Sequence, residues 1–319
     1  MCGIIGIVSN IDCIQDLIAG IKQLQNRGYD SAGICVLNGA IFYLTKYATT
    51  STDDSIKLIE NYISENPIQS KIGIFHTRWS TNGPKTDVNS HPHLSMNGTF
   101  SIIHNGVIEN YRKLRKDLIE KGYEFISETD TEVVVNLMEY IYQETNNTLR
   151  AIKKTLSMLE GTWGFVIMSI NEPNKLYCTR HGSPLLVGFS DNCVMVTSEK
   201  SGFCNKVDNY FSLSNQDICI ITDNSTEQIT DISYSTIETY EVKELTDVVQ
   251  ELTPDPYETW TLKEIYEQPV SAMRAISYGG RLYDDHVKLG GLEENIDKIM
   301  SLENIIILGC GTSYNAGLI

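Results

Sequence analysis

The order of strand-like and helix-like segments constrains this chain more than any other feature. Residues 2–8 alternate glycine with isoleucine and valine and read as a strand. Ile11, Ile14, Leu17, Ile18, Ile21 and Leu24 then recur at helical spacing, and Gly28 closes that stretch. Strand patterns follow at 32–37, 41–47, 71–77 and 99–104. Helices are predicted at 111–121, at 129–142 and at 148–159, the second opened by Thr129-Asp130-Thr131-Glu132, a capping-box pattern. From Thr162 to Asp223 apolar runs alternate with Asn, Gly, Pro and Ser and read as β again. Strands, then helices, then strands predict an α+β sandwich, two sheets enclosed between helical layers.

The remainder reads differently. Leu252–Tyr257 (LTPDPY) holds two prolines in six residues and has the character of a linker. A charged helical stretch, 258–278, follows and is expected to break near Pro269. A short strand at 305–308 runs into Gly309-Cys310-Gly311-Thr312-Ser313. Strand, glycine-rich turn and helix start form the opening of an α/β unit. Too few residues follow to complete one, so this portion is expected to be the first piece of a second domain. The 319 residues are enough for about two domains of roughly 150 residues each.

Composition excludes several classes. Lys and Arg number 25 against 41 Asp and Glu, a net charge of −16, which argues against a surface that tracks nucleic-acid phosphates. No apolar run approaches the roughly 18 residues of a membrane span. The start, MCGIIGIVSN, lacks a basic region and a cleavage pattern, so no signal peptide is expected and the location is expected to be cytoplasmic. The eight cysteines form no C-x-x-C pair and read as free thiols of a reducing compartment.

One cysteine stands apart. Removal of Met1 would leave Cys2 with a thiol and a free α-amine, whose reference pKa of about 7.7–8.0 suits a general base. A nucleophile that carries its own base needs no histidine partner. Four polar clusters accompany it. They are Arg27-Gly28-Tyr29-Asp30-Ser31-Ala32-Gly33, His76-Thr77-Arg78-Trp79-Ser80-Thr81-Asn82-Gly83, His104-Asn105-Gly106 and Ser127-Glu128-Thr129-Asp130-Thr131-Glu132. An Arg such as Arg78 offers a planar fork for a carboxylate, and Trp79 could exclude water. Asn105 and the Gly106 amide, read as lying at a strand end, could stabilise an oxyanion. A carboxylate such as Asp130 could hold an ammonium. Each cluster also has an ordinary reading: a turn, a surface Arg over a packed Trp, a type I′ Asn-Gly hairpin, a helix cap. His91-Pro92-His93 makes a poor metal pair, and neither a metal nor another cofactor is expected.

Together MCGIIG, RGYDSAG, HTRWSTNG, VNSHPH, IHNGVIENY and SETDTE, in that order, resemble the N-terminal-nucleophile (class II) glutamine amidotransferases. Within them the chain is most similar to the glutamine–fructose-6-phosphate aminotransferase (isomerizing), or glucosamine-6-phosphate synthase, family. KEIYEQP (263–269) and GCGTS (309–313) look like that family's post-linker helix and first sugar-phosphate loop.

The resemblance implies an N-terminal-nucleophile hydrolase fold, a four-layer αββα sandwich, over residues 1–240. It implies a linker and helix over 241–285, and the truncated beginning of an α/β sugar-isomerase (SIS) domain over 286–319. Cys2 would attack L-glutamine, with Asn105 and Gly106 as oxyanion hole. Arg78 would bind the α-carboxylate and Asp130 the α-ammonium, while Thr81 and Trp79 complete the pocket and Arg27 and His91 support it. Gly311, Thr312 and Ser313 would be an incomplete sugar-phosphate loop. In the complete enzyme the ammonia converts D-fructose 6-phosphate to D-glucosamine 6-phosphate, the start of the route to UDP-N-acetylglucosamine. A homodimer would need the complete sugar domain. This chain alone is expected to retain the glutaminase half. The alternatives are a stand-alone glutaminase and a non-catalytic glutamine-binding partner of a full-length enzyme. Position 82 departs from the pattern, with Asn where the family usually has His.

Overall fold

A computed structural model describes residues 2–25, 28–80, 83–226, 231–245, 256–275, 282–286, 295–309 and 312–318. The chain divides into two compact units, 1–251 and 252–319.

The first unit contains β1 (Gly3–Ser9), α1 (Ile14–Gln23), β2 (Ser31–Asn38), β3 (Ile41–Ala48), α2 (Ser55–Glu65), β4 (Ile72–Arg78), β5 (His93–Leu94) and β6 (Phe100–Ile108). Three helices follow, α3 (Tyr111–Ile119), α4 (Asp130–Thr145) and α5 (Thr148–Leu156). The β-rich remainder comprises β7 (Gly161–Ser169), β8 (Lys175–His181), β9 (Leu186–Phe189), β10 (Cys193–Thr197), β11 (Asn209–Ser212), β12 (Ile218–Asp223), β13 (Ile232–Ser235) and β14 (Lys243–Glu244). One sheet has eight strands in the order β14-β11-β9-β10-β1-β4-β2-β3, and the other has six, β13-β12-β8-β7-β6-β5. The first therefore continues beyond residue 240, because Lys243 and Glu244 pair with Tyr210 and Asn209.

Strand alternation builds the layers. Ile4 and Val8 of β1 face the six-stranded sheet and pack with Ile103 of β6 and Val166 and Met168 of β7. Ile5 and Ile7 point the other way, onto Leu17 and Ile21 of α1 and Ile56 and Ile59 of α2. Phe165 and Ile167 of β7 likewise turn to the opposite face, against Leu118 of α3, Val134 and Met138 of α4 and Ile152 of α5. Three apolar layers between four layers of structure make this the expected αββα sandwich.

Three local readings change. Helix α2 falls in a stretch to which no element is assigned from the sequence, where Ser and Thr crowd residues 49–55. Its signals were present: the Asp54 side chain caps it, accepting from the Ile56 and Lys57 amides at 3.0 and 3.1 Å, and Ile56 and Ile59 share its buried face. In the capping box, Thr129 Oγ1 accepts from the Glu132 amide, but Glu132 reaches further back, to the Ile126 and Ser127 amides. His104-Asn105-Gly106 is not a strand end, since β6 runs on to Ile108 with Asn105 opposite Gly164.

In the second unit, α6 (Trp260–Ala275) continues through Pro269, so the expected break is not observed; α7 (Ile296–Met300) and α8 (Thr312–Gly317) follow. The strand expected at 305–308 is absent among the described residues. Those residues have no ladder partner there, and a strand exists only through one.

Candidate functional site

The site lies where β1, β4 and β6 change from apolar to polar residues. Gly3 pairs opposite Thr77 and its amide donates to Thr77 Oγ1 at 3.1 Å, fixing the backbone next to Cys2. The Cys2 thiol accepts from the Trp79 amide, N to Sγ 3.2 Å. Burial pushes the thiol pKa up, opposed by that hydrogen bond and by the positive charge of Arg78. Asn105 Nδ2 donates to the Cys2 carbonyl at 2.7 Å.

Gly106 sits beside Asn105 at φ 135°, and a Cβ there would lie 2.2 Å from the Thr162 carbonyl oxygen. Only glycine takes that conformation readily and allows that approach. Gly33 plays a comparable part, because a Cβ on it would lie 2.2 Å from His91 O and push the His91 loop off β2.

Opposite charges flank the thiol. The Arg78 side chain, at the end of β4, donates to Ser80 Oγ and to the carbonyls of Gly83 and Pro84, and is buried. Asp130 opens α4, where the helix N-terminus favours a carboxylate, and accepts from the Ile108 amide at 2.8 Å. Trp79 is half exposed and its ring lies 5.5 Å from that of Tyr29. Cys2, Arg78, Trp79, Gly106 and Asp130 line one small cavity of about 30 Å³, open to solvent on one side, together with three histidines. Three larger grooves of this unit contain neither cysteine nor histidine in their linings.

Of the histidines gathered here, His91 alone is an expected site residue. The His91 ring stacks on His76 at 4.4 Å and meets His93 edge-on at 4.8 Å. His91 Nδ1 accepts from the His104 amide at 3.2 Å. His104 Nε2 donates to the Thr162 carbonyl at 3.3 Å, leaving Nδ1 to accept from Thr131 Oγ1 at 2.9 Å. Burial lowers the pKa of all four, that of His76 to about 3, so each is neutral near pH 7. Lys46 on β3 holds their loop by donating to the Val88, Ser90 and Pro92 carbonyls at 3.1, 2.7 and 3.1 Å. Among the described residues, no group of three His, Cys, Asp or Glu could hold a metal ion.

Of the residues singled out in the sequence, Cys2, Arg78, Trp79, Asn105, Gly106, Asp130 and His91 come together here. Arg27, Thr81, Asn82 and Gly311 lie outside the described residues. Thr312 and Ser313 belong to the second unit, at the start of α8. His76 and His104, which line the cavity, and His93, which meets His91 edge-on, were missed as site residues. The signal was their placement on and beside strand patterns otherwise filled by apolar residues.

The comparisons agree with this geometry. The family described as "Glutamine amidotransferase domain" matches residues 76–205. The chain is 36% identical over its whole length to a glutamine–fructose-6-phosphate aminotransferase [isomerizing] of Clostridium acetobutylicum, and 37% identical to a probable one of Acanthamoeba polyphaga mimivirus. It covers 51% of each, so the chain spans about half the length of the curated relatives it matches. Among solved structures, the glutamine phosphoribosylpyrophosphate amidotransferase of B. subtilis superposes with a TM-score of 0.59 over 73% of this chain and 49% of that one, at 24% identity, a likeness of fold. With the sandwich, the site and the similarity over the whole of this chain in agreement, residues 76–205 carry a glutamine amidotransferase domain, and the chain is similar to about half the length of the glutamine–fructose-6-phosphate aminotransferases [isomerizing].

Proposed function

We propose that the sandwich unit hydrolyses L-glutamine to glutamate and ammonia. One observation carries this reading: a thiol, a buried guanidinium and a buried carboxylate line a single small cavity. An amino-acid substrate needs a cation for its carboxylate and an anion for its ammonium, and Arg78 and Asp130 supply them. Leaving either partner unmatched inside a buried site penalises analogues that lack one charge. By the resemblance, Thr81 and the backbone of Trp79 would complete the pocket, with Arg27 and His91 as supports; Thr81 and Arg27 lie outside the described residues.

The thiol pKa is raised, so little thiolate exists at neutral pH and a base must take the proton. Among the described residues no imidazole hydrogen-bonds Sγ, whose partners are the backbone N–H and carbonyl of Trp79. The α-amine exposed on Cys2 by removal of Met1 serves, through a water. Sγ then attacks the carboxamide carbon. Asn105 and the Gly106 amide stabilise the oxyanion, the C–N bond breaks, and the leaving nitrogen takes the proton and departs as ammonia. Water hydrolyses the γ-glutamyl thioester, releasing glutamate and restoring the thiol.

In a longer protein like the relatives, we propose that the ammonia passes to fructose 6-phosphate, giving glucosamine 6-phosphate. Gly311, Thr312 and Ser313 would contribute to binding the sugar phosphate. We also propose a cytoplasmic location, which the seven free thiols among the described residues support.

The test is alkylation by a glutamine-mimicking diazoketone, read by intact and peptide mass. We expect one adduct on a Met-free Cys2, blocked by excess L-glutamine, and none on Cys2→Ala. Folded, Met-free chain that takes no adduct and releases no glutamate would refute the reading. Added fructose 6-phosphate separates a glutaminase from a complete transferase, since only the latter consumes it.

A further inference from the structure

His76 is buried in β4, and no step of the hydrolysis above employs it. Its Nε2 lies 3.1 Å from the His104 carbonyl oxygen and 3.0 Å from Asn105 Oδ1. A carbonyl oxygen only accepts, so Nε2 carries the proton and donates to both. The Asn105 carboxamide therefore has its oxygen toward His76 and its nitrogen toward Cys2, where Nδ2 meets the Cys2 carbonyl at 2.7 Å. An amide nitrogen has two hydrogens, and Cys2 O takes one.

We propose that His76 is a positioning residue for the glutaminase reaction: its Nε2–H orients the Asn105 amide so that the second N–H is available to the oxyanion formed at Cys2. The inference rests on the glutaminase reading. A flipped amide would set Oδ1 against the Cys2 carbonyl and NH2 against Nε2–H, acceptor on acceptor and donor on donor. The His76 ring is itself held in place. His91 stacks on it with planes 17° apart, and His91 is tied to β6 by accepting the His104 amide. Because burial holds the His76 pKa near 3, this donor keeps one form throughout the neutral range. Preorganised donors of this kind act where charge develops, so the effect falls on turnover and not on glutamine binding.

The experiment is steady-state glutamate release by the full chain as wild type, H76Q, H76N and H76F, with thermal midpoints measured alongside. A glutamine side chain places its amide nitrogen where Nε2 stands; an asparagine places it near Nδ1. H76N and H76F are expected to lose roughly 10- to 100-fold in kcat with KM for glutamine within about twofold of wild type. H76Q is expected to retain most of the turnover. Equal kcat for H76Q and H76N, or losses confined to KM, would overturn the inference. If H76F does not fold, H76Q against H76N decides alone, because the two are alike in polarity. An inactive wild type would overturn the glutaminase reading itself, whereas an active wild type with indistinguishable variants would overturn only the role of His76.

Discussion

The layer between the two sheets and the polar end of the same strands differ within a step or two of backbone. On β4, Ile74 lies in the apolar layer and His76 in the site; on β6, Ile103 precedes His104. At these positions both are buried, Ile74 and Ile103 at 0% exposure and His76 and His104 at 1% and 4%. Their stabilising terms are opposite in kind. The apolar layer contributes through area removed from water, which is non-directional. The polar end loses hydration and regains it only through directed bonds such as His104 to Thr162 and Ile108 to Asp130. The reactive arrangement is thus carried on a scaffold whose stability comes from its neighbours.

The largest expected break between the two regions is in pH. The free imidazole pKa of 6.5 is lowered by burial in His76 to about 3, and well below 6.5 in His91 and His93. Above pH 6.5 folded and unfolded chains are both neutral at these rings, and stability is intact. Below it the unfolded chain takes up protons that the folded chain refuses, so stability falls as pH drops from 6.5 toward 3. Each such histidine costs about 1.4 kcal/mol per pH unit, so the three together cost about 4 kcal/mol by pH 5.5. Urea midpoints at pH 7.5 and 5.5 measure this. A difference under about 1 kcal/mol would mean that the histidines are more accessible than the structure shows.

Next is Asn105→Ala, which removes a directed donor. The expected loss is about 10²- to 10³-fold in kcat, or roughly 3–4 kcal/mol of transition-state stabilisation, with little change in unfolding free energy. Glutamate-release kinetics with a matched thermal melt check it. Equal losses in stability and turnover would erase the distinction between the regions.

Much of this was legible beforehand. Strand alternation announced β1, β4 and β7, and helical spacing announced α1, because periodicity is local. Cys2, Arg78, Asn105 and Asp130 were legible through their surrounding motifs. Three things were not. The start of α2 lay among Ser and Thr residues and received no assignment. Asn105 and Gly106 read as a turn, because pairing with Trp163 and Gly164 is a relation over more than fifty positions. The role of His76 depends on where Asn105 points, which no spacing in sequence encodes. Residues 305–308 show the converse: an apolar run predicts a strand, but each residue is 67–90% exposed there and no ladder forms.

The smallest expected effect is Ile103→Val, one residue from His104. It removes one methylene from the apolar layer, against Ile4, Val166 and Met168. Such a deletion costs about 1 kcal/mol, part lost transfer energy and part residual cavity. Because Ile103 points away from the layer that holds Phe165, and His104 is held by Thr131 and Thr162, the imidazole keeps its bonds. Glutamate release is therefore expected to stay within about twofold of wild type while the urea midpoint falls. The pH slope of stability is expected not to change, since no histidine has moved. A variant that lost turnover in proportion to stability would show that the polar end is tuned by packing beneath it, and that the two regions act as one.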